Sequence, residues 1–214
     1  MTIFETLSTY GVVPVIAIDD AAMAVPLADA LLEGGLPVAE ITFRTRAAGE
    51  AIEAMASARP DLIVGAGTVL DEEQVDAARA AGARFALSPG IDPAVLVHAA
   101  KVGLPFAPGI MTPSDLQIAL RQGCAMVKFF PAMPAGGPSM LGNIAAPYAH
   151  TGIGFNPTGG VTFDNLADWL AVPQVRAVGG TWIAKREDIA AGNWSAITRN
   201  ARAAVDRVKE IRGE

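Results

Sequence analysis

Val12-Val13-Pro14-Val15-Ile16-Ala17-Ile18-Asp19-Asp20-Ala21 opens a unit that is completed by Val38-Ala39-Glu40-Ile41-Thr42-Phe43-Arg44, and the reading of that unit decides the fold. A β-branched apolar run ends at Ile18, an Ala-rich stretch of helical period occupies 21–33, and a second apolar run starts at Val38. The same alternation continues. Apolar runs at 62–66, 84–87, 105–107, 125–129, 153–155 and 175–178 bring the expected strands to eight, counting 12–18 and 38–43. Helical stretches lie between them at 47–58, 72–81, 93–101, 113–121 and 163–170, most of them starting after Asp, Thr or Pro and ending near Gly. Eight parallel strands with intervening helices close most economically into a (β/α)8 barrel. A doubly wound open sheet is the alternative, but it usually carries a glycine-rich turn after its first strand, where this chain has Asp19-Asp20-Ala21. The expected fold is therefore an α/β, single-domain (β/α)8 TIM barrel spanning residues 1–214. A helix at 3–10 closes its floor, a short helix follows Trp182, and a long amphipathic helix covers 194–211.

Composition narrows the function. With 214 residues, 51% of them hydrophobic, the chain can bury a sizeable core. One cysteine, Cys124, excludes an internal disulfide, and His98 and His150 lie too far apart in sequence for a metal-ligand cluster, so no metal is expected. The first ten residues lack a basic stretch followed by an apolar core, and no apolar run approaches a membrane span. A soluble cytoplasmic protein is expected. A net charge of -6 without a basic stripe argues against nucleic acid, so any phosphate recognition is local to a pocket. His98 and His150 read as surface or packing residues, the three tryptophans as packing residues, and the basic residues of the last helix as a solvated face.

Of four lysines, Lys128 alone sits in an apolar, strand-like run, Met126-Val127-Lys128-Phe129-Phe130-Pro131. An amine attacks a carbonyl only when neutral, and at an ordinary pKa of about 10.4 roughly one lysine in 2500 is neutral at pH 7. Bringing that pKa to about 7 to 8 takes a differential of roughly 4 kcal/mol, which burial can supply. A lysine that merely packs its stem and sends its head to water is the plain alternative. Strand parity favours chemistry. On the second strand the two-residue period puts Glu40, Thr42 and Arg44 on one face and Ala39, Ile41 and Phe43 on the other. On the sixth, Met126, Lys128 and Phe130 share a face, so Lys128 and Glu40 can meet in the barrel mouth. An amine beside a carboxylate in an apolar cavity is the equipment of a class I aldolase.

Glycine pairs end the last two strands, in Thr158-Gly159-Gly160 and Gly179-Gly180-Thr181-Trp182. They let backbone N–H groups approach an anion, and a helix starting after Thr181 would add its positive end. Barrel enzymes commonly hold phosphate at this place. Thr68, at the end of the third strand, and Pro89, at the end of the fourth, either line the same pocket or serve their turns.

In order and spacing, these residues resemble the 2-keto-3-deoxy-6-phosphogluconate (KDPG) aldolase family, also described as 4-hydroxy-2-oxoglutarate aldolases. The resemblance spans nearly the whole chain and rests on Val12-Val13-Pro14-Val15, Glu40-Ile41-Thr42-Phe43-Arg44-Thr45, Val64-Gly65-Ala66-Gly67-Thr68-Val69-Leu70, Ser88-Pro89-Gly90, Pro108-Gly109-Ile110, Lys128-Phe129-Phe130-Pro131-Ala132, Pro157-Thr158-Gly159-Gly160 and Gly179-Gly180-Thr181-Trp182. It implies a homotrimer of (β/α)8 barrels without metal or organic cofactor. The substrate it implies is 2-dehydro-3-deoxy-6-phosphogluconate, cleaved in the Entner-Doudoroff pathway to pyruvate and D-glyceraldehyde 3-phosphate. By the same resemblance Lys128 is the Schiff-base lysine, Glu40 the proton-transfer group and Arg44 the holder of the substrate carboxylate. Thr68, Thr158, Pro89 and Phe130 line the pocket, and Gly159, Gly160, Gly179, Gly180 and Thr181 bind phosphate. The chain departs from several relatives in having Thr181 for Ser, Met111 after Pro108-Gly109-Ile110, and Ile18-Asp19 rather than a basic residue at the end of the first strand. Two other readings stand beside this one: an aldolase acting mainly on 4-hydroxy-2-oxoglutarate, giving pyruvate and glyoxylate, and a non-catalytic phosphosugar-binding barrel.

Overall fold

Thr2 starts the first helix: its hydroxyl accepts from the Glu5 N–H while the Glu5 carboxylate accepts from the Thr2 N–H, and Gly11 ends that helix in the left-handed region. This is α1 (Ile3–Tyr10), in a computed structural model that describes residues 1–214. The chain then runs β1 (Val12–Ile16), α2 (Ala24–Glu33) after a 3-10 turn, β2 (Val38–Thr42), α3 (Ala48–Ala58), β3 (Ile63–Gly67), α4 (Glu72–Ala80) and β4 (Ala86–Leu87). It continues through α5 (Pro93–Val102), β5 (Phe106–Ala107), β6 (Gly109–Ile110), α6 (Pro113–Arg121), β7 (Met126–Phe129) and α7 (Gly137–Ala145). After a 3-10 segment come β8 (Gly154–Pro157), α8 (Leu166–Leu170), β9 (Val178–Gly180), α9 (Arg186–Ala190) and α10 (Trp194–Arg212).

Every strand pairing is parallel, and the hydrogen bonds sort the strands into two curled sheets, β5-β4-β3-β2-β1-β9 and β6-β7-β8. Eight strands were expected and nine segments are present. The fifth expected strand, 105–107, corresponds to β5, and the extra segment is β6, set off from β5 by Pro108, which has no N–H to give to a ladder. On the other side, single bridges pair Phe155 with Val175 and Thr158 with Gly179. The expected fourth strand contracts to Ala86–Leu87, while the last two shift towards the C terminus, to Gly154–Pro157 and Val178–Gly180. The helix α7, after the sixth expected strand, was not anticipated: its stretch opens on Gly-Gly-Pro, residues that read as loop.

Side-chain parity gives the sheets two apolar layers. Ala39, Ile41, Val64, Ala66, Val127, Phe129 and Phe155 belong to the large outer core that also includes Leu27, Leu31, Ile52 and Leu116 from the helices. Val13, Val38, Ile63, Phe85, Leu87, Ala107, Met126 and Ala177 form a second, inner cluster with Phe4 and Leu7 of α1. α1 is thereby a plug at the N-terminal ends of the strands. Arg212, at the end of α10, donates to the carbonyls of Ser8, Thr9 and Arg176, holding the plug and the terminal helix together. α10 in turn lies along α2, where Thr198 Oγ1 donates to the Ala30 carbonyl at 3.1 Å and Gly34 lets Ala201 approach.

The loop into α6 illustrates how the mouth-side connections are fixed. Asp115 accepts from Met111 N–H and Thr112 N–H, while Thr112 Oγ1 accepts from Asp115 N–H and Pro113 fills the first helical position. Burial pushes the Asp115 carboxyl up, but these hydrogen bonds outweigh it and hold the group below its ordinary value. Its contribution is therefore complete above the unfolded-state carboxylate pKa and is lost as pH falls through the folded one. Asp115→Ala is expected to lower stability by about 1 kcal/mol at pH 7. Urea unfolding of both proteins should show the gap closing in acid.

Candidate active site

Strand register builds the site. Glu40 lies beside Val15 and Gly65, and Lys128 lies between Gly109 and Asn156, all on the inward face directly above the inner apolar cluster. From opposite sheets, Lys128 Nζ donates to Glu40 Oε1 at 3.0 Å. The two side chains are 5% and 0% exposed, so the pair is withdrawn from bulk solvent. Room for the carboxylate comes from Gly67: a Cβ there would stand 2.2 Å from Glu40 Oε1. Glu40 Oε2 has no hydrogen-bond partner within the chain.

Of the remaining candidates, Phe130 is in contact with this pair, and the others are placed by their own neighbours. The Phe130 ring centroid is 5.8 Å from Lys128 Nζ, within range of a cation–π contact, and the ring also borders Gly159. Thr158 is buried and sits over Gly179, where a Cβ would be 2.1 Å from Thr158 Oγ1. Gly159 and Gly160 have φ of 98° and 79°, values that require glycine, and Asn165 Nδ2 donates to the Gly160 carbonyl at 3.0 Å. Gly180 lies under the Trp182 ring. Arg44 is exposed, and its Nε donates to Thr42 Oγ1 at 3.1 Å; Thr42 donates onward to the Ile16 carbonyl. Thr68 is the sole non-glycine residue with positive φ, 57°, a strained conformation for a β-branched side chain that functional sites tend to hold. Pro89, half-buried, lines a cavity of about 270 Å³ together with Val69, Leu70 and Ser88.

One expectation changes. Thr181 is exposed, and no helix begins there; α9 starts at Arg186 with Lys185 at its cap. The glycine segment therefore offers backbone N–H groups without a helix end behind them. His98, read as a surface or packing residue, is the half-buried link between α5 and α4, with Nε2 at 2.8 Å from Asp76 Oδ1. Cys124 is no rival nucleophile, because burial pushes its thiol up to about 11.

A buried amine–carboxylate pair at the end of inward-facing parallel strands narrows the comparison with known proteins. The sequence pattern described as "KDPG and KHG aldolase" matches residues 3–200. The chain belongs to the KDPG and KHG aldolase family. A 2-dehydro-3-deoxy-phosphogluconate aldolase of Treponema pallidum is 46% identical over 198 residues, which is 92% of this chain and 93% of the relative. The KDPG aldolase of Legionella pneumophila, crystallised with pyruvate captured at low pH as a covalent carbinolamine, superposes with a TM-score of 0.90 at 40% identity, covering 95% and 98% of the two chains. The corresponding aldolase of Zymomonas mobilis ZM4, solved with 3-phosphoglycerate, gives a TM-score of 0.86 at 36% identity, covering 95% of each chain.

Within this family member, Asn156 is the residue that sequence reasoning missed. Its side chain is fully buried beside Lys128, Oδ1 accepts from Thr158 Oγ1 at 3.3 Å, and Nδ2 has no acceptor within the chain. The seventh strand was expected to stop at 155, so the alternation that points Asn156 inward was not carried one residue further. Gly67 was likewise quoted only within the Val64–Leu70 segment of the resemblance, with no role of its own.

Two outcomes follow from the geometry. Gly67→Ala should displace the Glu40 carboxylate and reduce kcat by at least about tenfold while leaving the fold intact by circular dichroism. Lys128→Met leaves Glu40 buried without its counter-charge, at a cost of about 3–5 kcal/mol. Chemical denaturation should show the Glu40→Gln/Lys128→Met double variant to be more stable than Lys128→Met alone.

Proposed function

We propose that the protein is a class I, Schiff-base aldolase that cleaves 2-dehydro-3-deoxy-6-phosphogluconate to pyruvate and D-glyceraldehyde 3-phosphate. The observation that carries this reading is the Lys128–Glu40 contact of 3.0 Å, withdrawn from bulk solvent. Neutral Lys128, having passed its proton to Glu40, attacks the C2 ketone; Glu40 returns that proton to the carbinolamine hydroxyl, which leaves as water and gives the iminium, with Glu40 again a carboxylate. Arg44, already on the mouth side of Thr42, pairs with the C1 carboxylate and fixes the ketone's orientation. Glu40 then takes the C4 hydroxyl proton and the C3–C4 bonding electrons flow to the iminium. The aldehyde leaves, the enamine is protonated at C3, and hydrolysis frees pyruvate. Thr68 and Thr158 orient substrate oxygens, while Pro89 and Phe130 form walls.

The phosphate is assigned to Gly159, Gly160, Gly179, Gly180 and Thr181. Their support is the pair of positive-φ glycines and the close packing of Gly179 and Gly180 under Thr158 and Trp182. The solved Zymomonas relative with 3-phosphoglycerate is consistent with an anion of this kind. Because no helix starts at Thr181, the phosphate anchor rests on backbone groups alone, which favours a second reading in which unphosphorylated 4-hydroxy-2-oxoglutarate is also cleaved.

We further infer that the two sheets are halves of one (β/α)8 barrel in a single domain. The bridge from Thr158 to Gly179 and the continuity of β5 and β6 through Pro108 support closure. A homotrimer is proposed on the family resemblance, and the exposed side chains of Leu70, Met111, Met133, Met140 and Phe163 are apolar surface that subunit contacts would cover. No helix is long and apolar enough to cross a membrane. The lone, half-buried Cys124 thiol is in keeping with the reducing cytoplasm.

Borohydride reduction in the presence of pyruvate tests the chemistry. A covalent adduct at Lys128, absent in Lys128→Met, is expected; an unmodified Lys128 would overturn the Schiff-base reading. Comparing kcat/KM on the two substrates should favour the phosphorylated one, and parity would reverse that assignment.

A further inference from the structure

Two polar atoms in the inward layer remain unsatisfied by the protein, and they are complementary. Asn156 Nδ2 is a donor without an acceptor and Glu40 Oε2 an acceptor without a donor, each on a side chain that is 0% exposed. Leaving either group unpaired carries its desolvation penalty uncompensated, the larger one for the charged group. Both belong to the surroundings of Lys128. Asn156 is its register partner on β8 and Glu40 its ion-pair partner from β2. Asn156 is also oriented: with Oδ1 taking the Thr158 hydroxyl proton, the amide can present only its N–H groups elsewhere in the layer.

A water molecule accepting from Asn156 Nδ2 and donating to Glu40 Oε2 satisfies both atoms, and a buried water needs two to four such partners. We propose that Asn156 holds, in this way, the water that hydrolyses the pyruvyl iminium on Lys128. This rests on the Schiff-base reading. The water oxygen bonds to C2, the C=N electron pair moves onto Nζ, and the water's proton passes to Glu40 Oε2. Glu40 then returns that proton to Nζ, the carbinolamine hydroxyl surrenders its own proton to Glu40, the C2–N bond breaks and C2=O forms. Pyruvate leaves behind a neutral Lys128 and a protonated Glu40, which restore the ion pair by one proton transfer. No further reactant is needed.

The assignment predicts a defect confined to the second half of the cycle. Asn156→Val keeps a strand-compatible shape and removes the donor; Asn156→Ser keeps a shorter hydroxyl donor. In rapid-quench experiments with 2-dehydro-3-deoxy-6-phosphogluconate, Asn156→Val should release about one equivalent of glyceraldehyde 3-phosphate per active site in a burst. Steady-state turnover should then be about 10- to 100-fold slower than that of the unmodified protein. KM should fall with kcat as the covalent form accumulates, and the fraction of Lys128 reduced by borohydride during turnover should rise. Asn156→Ser should show a smaller burst and recover part of the rate, and it carries the test if the valine variant does not fold. Slow turnover without a burst, unchanged kcat, or a serine variant as slow as valine would overturn the proposal. Failure of pyruvate to form a reducible adduct on the unmodified protein would instead overturn the Schiff-base reading itself.

Discussion

The burial of Lys128 against Glu40 is the constraint around which the rest of the structure is organised. Two opposite charges withdrawn from water lose hydration worth several kcal/mol each, and only close approach and further hydrogen bonds repay it. The approach is provided by curvature: the two residues stand on different hydrogen-bonded sheets, and only the curl of those sheets brings Nζ and Oε1 to 3.0 Å. The unpaired Oε2 and the neighbouring Asn156 amide leave this balance incomplete within the protein. Substrate and water are the natural partners for the remainder, which is how a costly feature becomes a reactive one.

The layers below and around the pair follow from it. An apolar plug of one inward residue from most strands, capped by Phe4 and Leu7, seals the N-terminal side, so the only polar inward surface faces the mouth. Glycines then set the spacing. Gly67 yields to the Glu40 carboxylate and Gly179 to Thr158, so each marks a place where a side chain from one strand must enter the space of its neighbour. Thr68, directly after Gly67, carries the backbone strain of that turn. The same chain that packs tightly in the outer helical layer is thus deliberately thinned along a few inward positions.

Much of this was legible in the sequence because a two-residue period is unambiguous once a strand is located. Glu40 and Thr42 on one strand and Met126 and Lys128 on another needed only parity, and α1 and α6 were readable from their capping and turn residues. What escaped had physical causes. Pro108 sits inside a strand position and interrupts its ladder, which periodicity does not reveal. Asn156 escaped because an Asn-Pro-Thr run looks like a turn, and the register that makes it a strand comes from pairing with β7, a long-range interaction. The helix expected after Thr181 failed because Trp182 folds back over Gly180, delaying the helix to Arg186.

In the proposed mechanism Lys128 carries the covalent chemistry, and its neighbours carry proton transfer, orientation and hydrolysis. A crystal structure of the protein soaked with pyruvate tests it most directly. It should show continuous density from Lys128 Nζ to C2 of pyruvate, with Glu40 in hydrogen-bond range of the bound carbon skeleton or of a water beside it. Pyruvate bound without a covalent link, or linked to Lys101, Lys185 or Lys209, would contradict the account.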